Sequence, residues 1–448
     1  MTRVVVVGGN AAGLSAASQA KRLKPDWETI VLEKGRYISY AACGMPYYIE
    51  GIIPEFNSLM ELTPSEVVDK RGIDLRLGWT VTRVNPESGD IDVETPEGPS
   101  KESFDYLVIA TGAVPMTEGI EFAPSERVLT LKGLEDAEYI QAMLENLQPQ
   151  KCAVIGGGYI AVEMVEAFKI RGLDTDLIHR RKDLARTFEV EISDRIKERM
   201  ENEGVVLQLE TAVQAVKEEK GKAVVLTGDG QKLEYDFVLV ATGVQPATEF
   251  LQGSGIELGI KQSVRVNKFL QTNFENIYAA GDCTETYNRI TGQPAYVPLA
   301  LKANKEGMMA GANICGQGEP FPGILGSAIT KIFDLGIART GLTLEEAEKN
   351  GLNPVKYQLT TNSRARYYPG TGPLQSVIIA SKDDGRFLGA QLAGPLDAVK
   401  RIDVYATMLY AGMTIPEAFN LDLSYAPPFS PVYDPVVMAA RVGRKHIR

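Results

Sequence analysis

Residues 151–172, KCAVIGGGYIAVEMVEAFKIRG, are the stretch on which the fold turns. The apolar run Cys152–Ile155 suits a buried strand, Gly156–Gly158 interrupt it, and apolar residues then recur at helical spacing. DTDLIHRRKD, 174–183, reads as a second strand. Strand, glycine turn, helix and strand in this order make a dinucleotide-binding unit. The spacing Gly156-x-Gly158-x-x-Ala161 lets the turn close tightly, lets backbone approach a pyrophosphate and aims helix amides at its charge. Tyr159, Ile160 and Glu163 on the helix, and Gly243 further on, are expected at the same ligand. Where the second strand ends, an NAD site would present an acid to the ribose 2′-hydroxyl. This chain has His179-Arg180-Arg181-Lys182, and cations there favour the 2′-phosphate of NADPH, with NADH still possible.

The pattern occurs twice. RVVVVGGNAAGLSAASQAKRL, 3–23, gives a strand at Val4–Val7, a turn at Gly8, Gly9, Asn10, Ala11, Ala12 and Gly13, and a helix; TIVLEKG, 29–35, gives the next strand. Asn10 replaces the usual middle glycine, and its tolerance of a left-handed backbone is expected to preserve the turn. Glu33 sits where a carboxylate would hold the ribose of an unphosphorylated adenosine, as in FAD. Each unit is followed by a strand ending in the same word: FDYLVIATGAVP, 104–115, and YDFVLVATGVQP, 235–246. Two dinucleotides in one chain imply hydride relay through a flavin, because side chains alone do not store two electrons reversibly beside a nicotinamide.

The chain has 448 residues, enough for roughly three domains. Its formal net charge of −11 argues against nucleic acid or an anionic membrane as partner and for a small molecule. No apolar run approaches the ~18 residues of a membrane helix, and the N-terminus lacks a signal-peptide pattern, so a soluble cytoplasmic protein is expected. Cys43, Cys152, Cys283 and Cys315 lack zinc-type spacing, and no metal is expected.

With both fingerprints, both ATG words, the AAGD word at 279–282 and an α+β tail, the chain resembles the pyridine nucleotide-disulfide oxidoreductase family over its whole length. The resemblance implies an α/β fold with two Rossmann-like domains and a C-terminal dimerisation domain. The expected divisions are an FAD-binding domain in two parts, 1–115 and 246–325, an NADPH-binding domain at 116–245 and the dimerisation domain at 326–448. It further implies FAD contacts at Lys34, Val81, Ala110, Thr111 and Gly112, at Gly281 and Asp282 along the ribityl chain, and at Pro298, Leu299 and Ala300 before a helix aimed at the flavin ring. A homodimer is implied, the tail of one subunit completing the other's site.

SYAACGMPYYIE, 39–50, holds Cys43 with no second cysteine nearby; Ile38 lies where a dithiol reductase would carry one. A lone thiol beside a flavin works through a mixed disulfide with a substrate thiol or through a sulfenic acid. Gly44-Met45-Pro46 reads as a helix start, which is expected to lower the pKa of Cys43. The other three cysteines read as packing.

Peroxidases and water-forming oxidases of the family carry a histidine where this chain has Asn10, and glutathione-reductase-like members use a tail histidine. Only His179 and His446 are present here. Tyrosine is the remaining candidate to protonate a thiol leaving group. The motif SYAACGMPYY and the tail segment YAPPFSP, 425–431, resemble the coenzyme A-disulfide reductase branch, which implies catalytic roles for Cys43 and, from a second subunit, Tyr367 and Tyr425, with Tyr368 as a substitute for Tyr367. Coenzyme A would then be the substrate or the mixed-disulfide partner of Cys43, with Ser39 along its pantetheine arm and Gln19, Arg22 and Arg71 toward its phosphates. An NAD(P)H oxidase or peroxidase acting through a Cys43 sulfenic acid is the alternative.

Overall fold

The structure is a computed structural model and describes residues 1–447. Two five-stranded parallel sheets carry the two glycine turns. The first runs Ile277–Ala279, Tyr106–Ile109, Arg3–Val7, Glu28–Glu33, Asp74–Leu77, and the second Val128–Leu129, Phe237–Val240, Lys151–Ile155, Asp174–Ile178, Val206–Gln208. In both, the strand before the glycines is central, and the chain continues first to one side and later to the other. The turn thus sits at the switch point of the strand order, where a crevice opens for a ligand.

The central strands are apolar because both faces are covered: Val4, Val5 and Val6 are wholly buried, as are Cys152, Ala153 and Val154. Each buried valine contributes about 2 kcal/mol of transfer free energy. Helix Ala11–Leu23 packs against helix Ala300–Asn313 at backbone contact, since a Cβ on Gly307 or Gly311 would overlap the carbonyl oxygens of Ala12 or Ala16. Small residues at these spacings set how closely the two helices can approach.

The repeat extends to one side chain. Asp105 in FDY accepts the backbone amide of Arg3 at 2.6 Å, and Asp236 in YDF accepts those of Gln150 and Lys151 at 2.7 and 2.9 Å. Each carboxylate pins the start of its own central strand.

The tail forms a five-stranded antiparallel sheet in the order Ala328–Ile332, Leu335–Gly341, Phe387–Pro395, Pro373–Ser381, Pro354–Asn362. The segment 396–411 forms two helices, Leu396–Val399 and Ile402–Ala411. Arg401 lies at the break, its guanidinium held by Asp434 at 2.9 Å and the carbonyl of Phe429 at 2.6 Å.

Candidate active site

At the first turn Gly8 has φ +112°, and a Cβ there would overlap the carbonyl oxygen of Ala110; one on Gly13 would overlap that of Gly8. Only glycine closes this turn. Asn10 is not left-handed as expected: it caps helix Ala11–Leu23 with extended backbone, φ −112°, because Gly8 already makes the reversal. Its Oδ1 accepts the amide of Tyr40 at 3.2 Å, tying the turn to the Cys43 segment. Glu33 accepts the amides of Gly9 and Gly35, both at 2.7 Å. Ala110, Thr111 and Gly112 follow the adjacent strand, Gly112 with φ +71°; Lys34 is exposed and Val81 is buried in the small sheet beside this unit. Gly281 has φ +88° and lies against Ala12; next to it, Asp282 has a buried Oδ1 without a partner among the described residues. Pro298 and Leu299 lead into helix Ala300–Asn313. A buried, unpartnered carboxylate oxygen beside a turn with no room for a methyl fits the hydroxyls and pyrophosphate of a flavin adenine dinucleotide.

At the second turn Gly156 has φ +144°, and a Cβ would overlap the carbonyl oxygen of Ala241; Gly158 faces open space. Helix Tyr159–Ile170 begins at this turn, with Ile160 partly covered and Ala161 fully buried. Gly243 closes the neighbouring strand with φ +126°. His179 departs from its expected role as a cation. Its ring lies against Gly157, where a Cβ would come within 2.8 Å, its Nε2 is buried without a partner among the described residues, and burial, with Arg180 and Arg181 nearby, lowers its pKa. It is held neutral near pH 7. Arg180, Arg181 and Lys182 are exposed and make no ion pair among the described residues. This open turn fits the pyrophosphate of a nicotinamide dinucleotide.

Cys43 lies in a 3₁₀ turn, Ala42–Gly44, ahead of helix Met45–Glu50, which carries Pro46 in its first turn as expected. The expected acidic thiol is not found. Burial on its protein side pushes the Cys43 pKa up, the carboxylates of Glu163 and Asp282 push it further, and Lys132 opposes them. A six-residue helix is too weak to reverse this. The carboxylates that act on the thiol come from both units: Glu163 from the second unit's helix and Asp282 from the turn that follows Gly281. Glu163 accepts a 2.6 Å hydrogen bond from Thr330 of the tail sheet, a contact sequence reading missed because no motif marks a threonine. Cys283 donates to the carbonyls of Ile109 and Ala280, Cys152 faces Thr175 in the core, and Cys315 reaches the carbonyl of Ala20; all four cysteines are free.

A cavity of about 280 Å³ runs along helix Ala11–Leu23, lined among others by Asn10, Ser15, Ser39, Glu61, Arg71 and Asn304. Ser39 has φ +45°, a strained value for a serine, and its amide and carbonyl are fixed by the Gly9 carbonyl at 3.0 Å and the Glu61 amide at 2.7 Å. Arg71 is anchored by Ser18 at 2.7 Å. Two expected substrate residues, Ser39 and Arg71, thus share one cavity. Gln19 and Arg22 lie outside it, hydrogen-bonded to each other, on the same helix stripe as Ala11 and Ser15. Asn304 and Glu61, which sequence reading missed, complete its walls. On the tail, Tyr367 and Tyr425 are 77% and 45% exposed, and the neighbouring Tyr367 hydroxyl raises the pKa of Tyr425. Tyr368 is partly covered, and its amide bonds the Ala365 carbonyl.

A repeated strand, glycine turn and helix together with a lone thiol on a short helix define a class, and comparison with known proteins agrees. Residues 2–307 match the pyridine nucleotide-disulphide oxidoreductase model, and residues 327–436 the dimerisation domain of the same family. The chain belongs to the pyridine nucleotide-disulphide oxidoreductase family and is an enzyme of that kind. It is 40% identical to the NAD(P)H coenzyme A polysulfide/persulfide reductase of Pyrococcus horikoshii (98% of both chains), 34% identical to a protein of Methanocaldococcus jannaschii named NADH oxidase (99% of both) and 30% identical to the coenzyme A disulfide reductase of Staphylococcus haemolyticus (99% and 100%). The reduced CoADR-RHD structure of Bacillus anthracis superposes with a TM-score of 0.95 at 34% identity, covering 99% of this chain and 80% of that one. Among the described residues no helix is long and apolar enough to cross a membrane.

Proposed function

We propose that this enzyme uses NADPH and FAD to reduce coenzyme A disulfide, or a related CoA-linked disulfide or persulfide, through Cys43. The observation that supports the reading is the free thiol of Cys43, four residues along the chain from Ser39 on the wall of a cavity that Arg71 also lines. Bound FAD would take a hydride from the nicotinamide and deliver two electrons to sulfur. Cys43 thiolate attacks CoA–S–S–CoA; the substrate S–S bond breaks, a Cys43–S–S–CoA bond forms, and CoA thiolate leaves and takes a proton. Two electrons and a proton then split the mixed disulfide into Cys43 thiolate and CoASH. The sum is disulfide plus NADPH plus a proton to two CoASH and NADP⁺.

The raised Cys43 pKa means that attack speeds up with pH until the thiol ionises. A thiol kept neutral at rest is also a poor target for oxidants. Tyr425 and Tyr367, an exposed pair on the tail, are the proton donors to the leaving thiolate, supplied by a second copy of the chain. Exposed Phe429 and Val432 in the same region suit a dimer interface, and the division into 1–115 with 246–325, 116–245 and 326–448 is part of the same proposal. Arg180 and Arg181 favour NADPH over NADH. Arg71, with Gln19 and Arg22 continuing the same helix stripe, meets the phosphates of CoA.

Mass spectrometry of the intact protein tests this: one CoA per chain, mapped to Cys43 and released by reductant, is expected, and Cys43→Ser should abolish CoA-disulfide reduction while bound flavin is still bleached by NADPH. No CoA adduct at any stage of turnover would sink the proposal. The second reading, an oxidase or peroxidase, draws on the relative named NADH oxidase; fast turnover with peroxide and none with CoA disulfide would establish it.

A further inference from the structure

Both ends of the Gly281 residue are held by one buried ion pair. Lys302 and Glu306, a turn apart on helix Ala300–Asn313, lie 3.0 Å from each other with side chains 2% and 0% exposed. Lys302 Nζ donates to the Gly281 carbonyl at 2.7 Å and meets the Thr284 carbonyl and hydroxyl at 3.3 and 3.1 Å. Glu306 Oε2 accepts the Gly281 amide at 2.9 Å and the Thr284 hydroxyl at 3.0 Å. Glu306 Oε1 is buried with no partner among the described residues.

A buried ion pair is a poor way to gain stability, because desolvation of the two charges roughly cancels their attraction; apolar residues of the same size often do as well. What the pair does supply is direction. A donor fixed on the carbonyl and an acceptor fixed on the amide leave the left-handed Gly281 one orientation, and the next residue is Asp282 with its unpartnered carboxylate oxygen. We propose that Lys302 and Glu306 are positioning residues that preset the Gly281–Asp282 turn, so that the Asp282 carboxylate is aimed before the flavin's ribityl chain arrives. This rests on the flavin reading of that turn.

The test is FAD binding to the apoprotein, followed by flavin fluorescence, alongside thermal unfolding of the same apoprotein. In the double variant Lys302→Met/Glu306→Met the unfolding midpoint is expected to stay near the parent's while the FAD dissociation constant rises about 10-fold, and adding Asp282→Asn should cost much less than it does in the parent. Unchanged FAD affinity, or a loss fully additive with Asp282→Asn, overturns the proposal. Should the double variant not fold, Glu306→Gln replaces it: several-fold weaker FAD binding supports the role and parental affinity overturns it. Failure of the parent apoprotein to bind FAD would instead remove the flavin reading itself.

Discussion

The two glycine-turn units share a backbone and differ in what stands at the end of their second strands. In both, the first glycine is left-handed and presses on the carbonyl of the alanine in an ATG word, Ala110 in one and Ala241 in the other. In both, an aspartate pins the central strand. Beyond that they part. Glu33 gathers the amides of Gly9 and Gly35, whereas His179 lays a neutral ring on Gly157 and leaves two arginines and a lysine open to solvent. The scaffold for a pyrophosphate is thus repeated, and discrimination between ligands resides in a few residues at one strand end.

Substituting the paired glycines should separate the units most sharply. Gly8→Ala is expected to yield protein lacking flavin, and Gly156→Ala protein that keeps flavin but binds NADPH about 100-fold more weakly, because each methyl must displace a carbonyl. Flavin absorbance of the purified protein and NADPH titration read the two outcomes. If Gly156→Ala also strips flavin, the units are not independent.

The aspartate pins come next. Burial alone would raise the pKa of Asp236, but hydrogen bonds from Lys222 and from the amides of Lys151 and Gln150 overcome this and hold it at about 2. A carboxyl depressed from 3.8 stabilises the fold above its unfolded pKa, by about 2 kcal/mol, and that contribution fades as pH falls toward 2. Asp236→Asn should therefore lower the urea midpoint at pH 7, with the gap to the parent closing near pH 2–3. Asp105→Asn, which loses a single amide, should cost less.

Replacing Arg180 and Arg181 together by alanine should raise KM for NADPH about 10-fold with little change for NADH, sharpening the contrast at the strand ends. The smallest effect expected is Glu163→Gln. Removing a carboxylate from beside Cys43 lowers its pKa, so alkylation by iodoacetamide at pH 7 should quicken about 3-fold.

Features with steep local sterics were legible in the sequence: the glycine turns, the buried strands, both ATG words and the lone cysteine. Ser39, expected from a family pattern, and Arg71, expected from the need for a cation, line one cavity. Asn304, Glu61 and Thr330 were not legible, since each reaches the site from a distant element and carries no motif. The two electrostatic expectations failed for a shared reason. Cys43 was read from its helix and His179 from its basic neighbours in sequence, yet burial, with distant carboxylates for Cys43, decides their protonation. The Asn10 backbone was misread because Gly8, two residues earlier, had already made the reversal.

The order of strands in the two parallel sheets also bears on biogenesis. Every strand of the second sheet lies between residues 128 and 240, whereas the first sheet takes its edge strand from 277–279 and its covering helix from 300–313. A ribosome that emits the N-terminus first therefore releases a sheet short of one edge strand and of that helix, which must wait while the interior insertion emerges and closes. The later-made unit is the one able to finish earlier, and until Ile277–Ala279 arrives the strand Tyr106–Ile109 is left with an open edge in need of shelter.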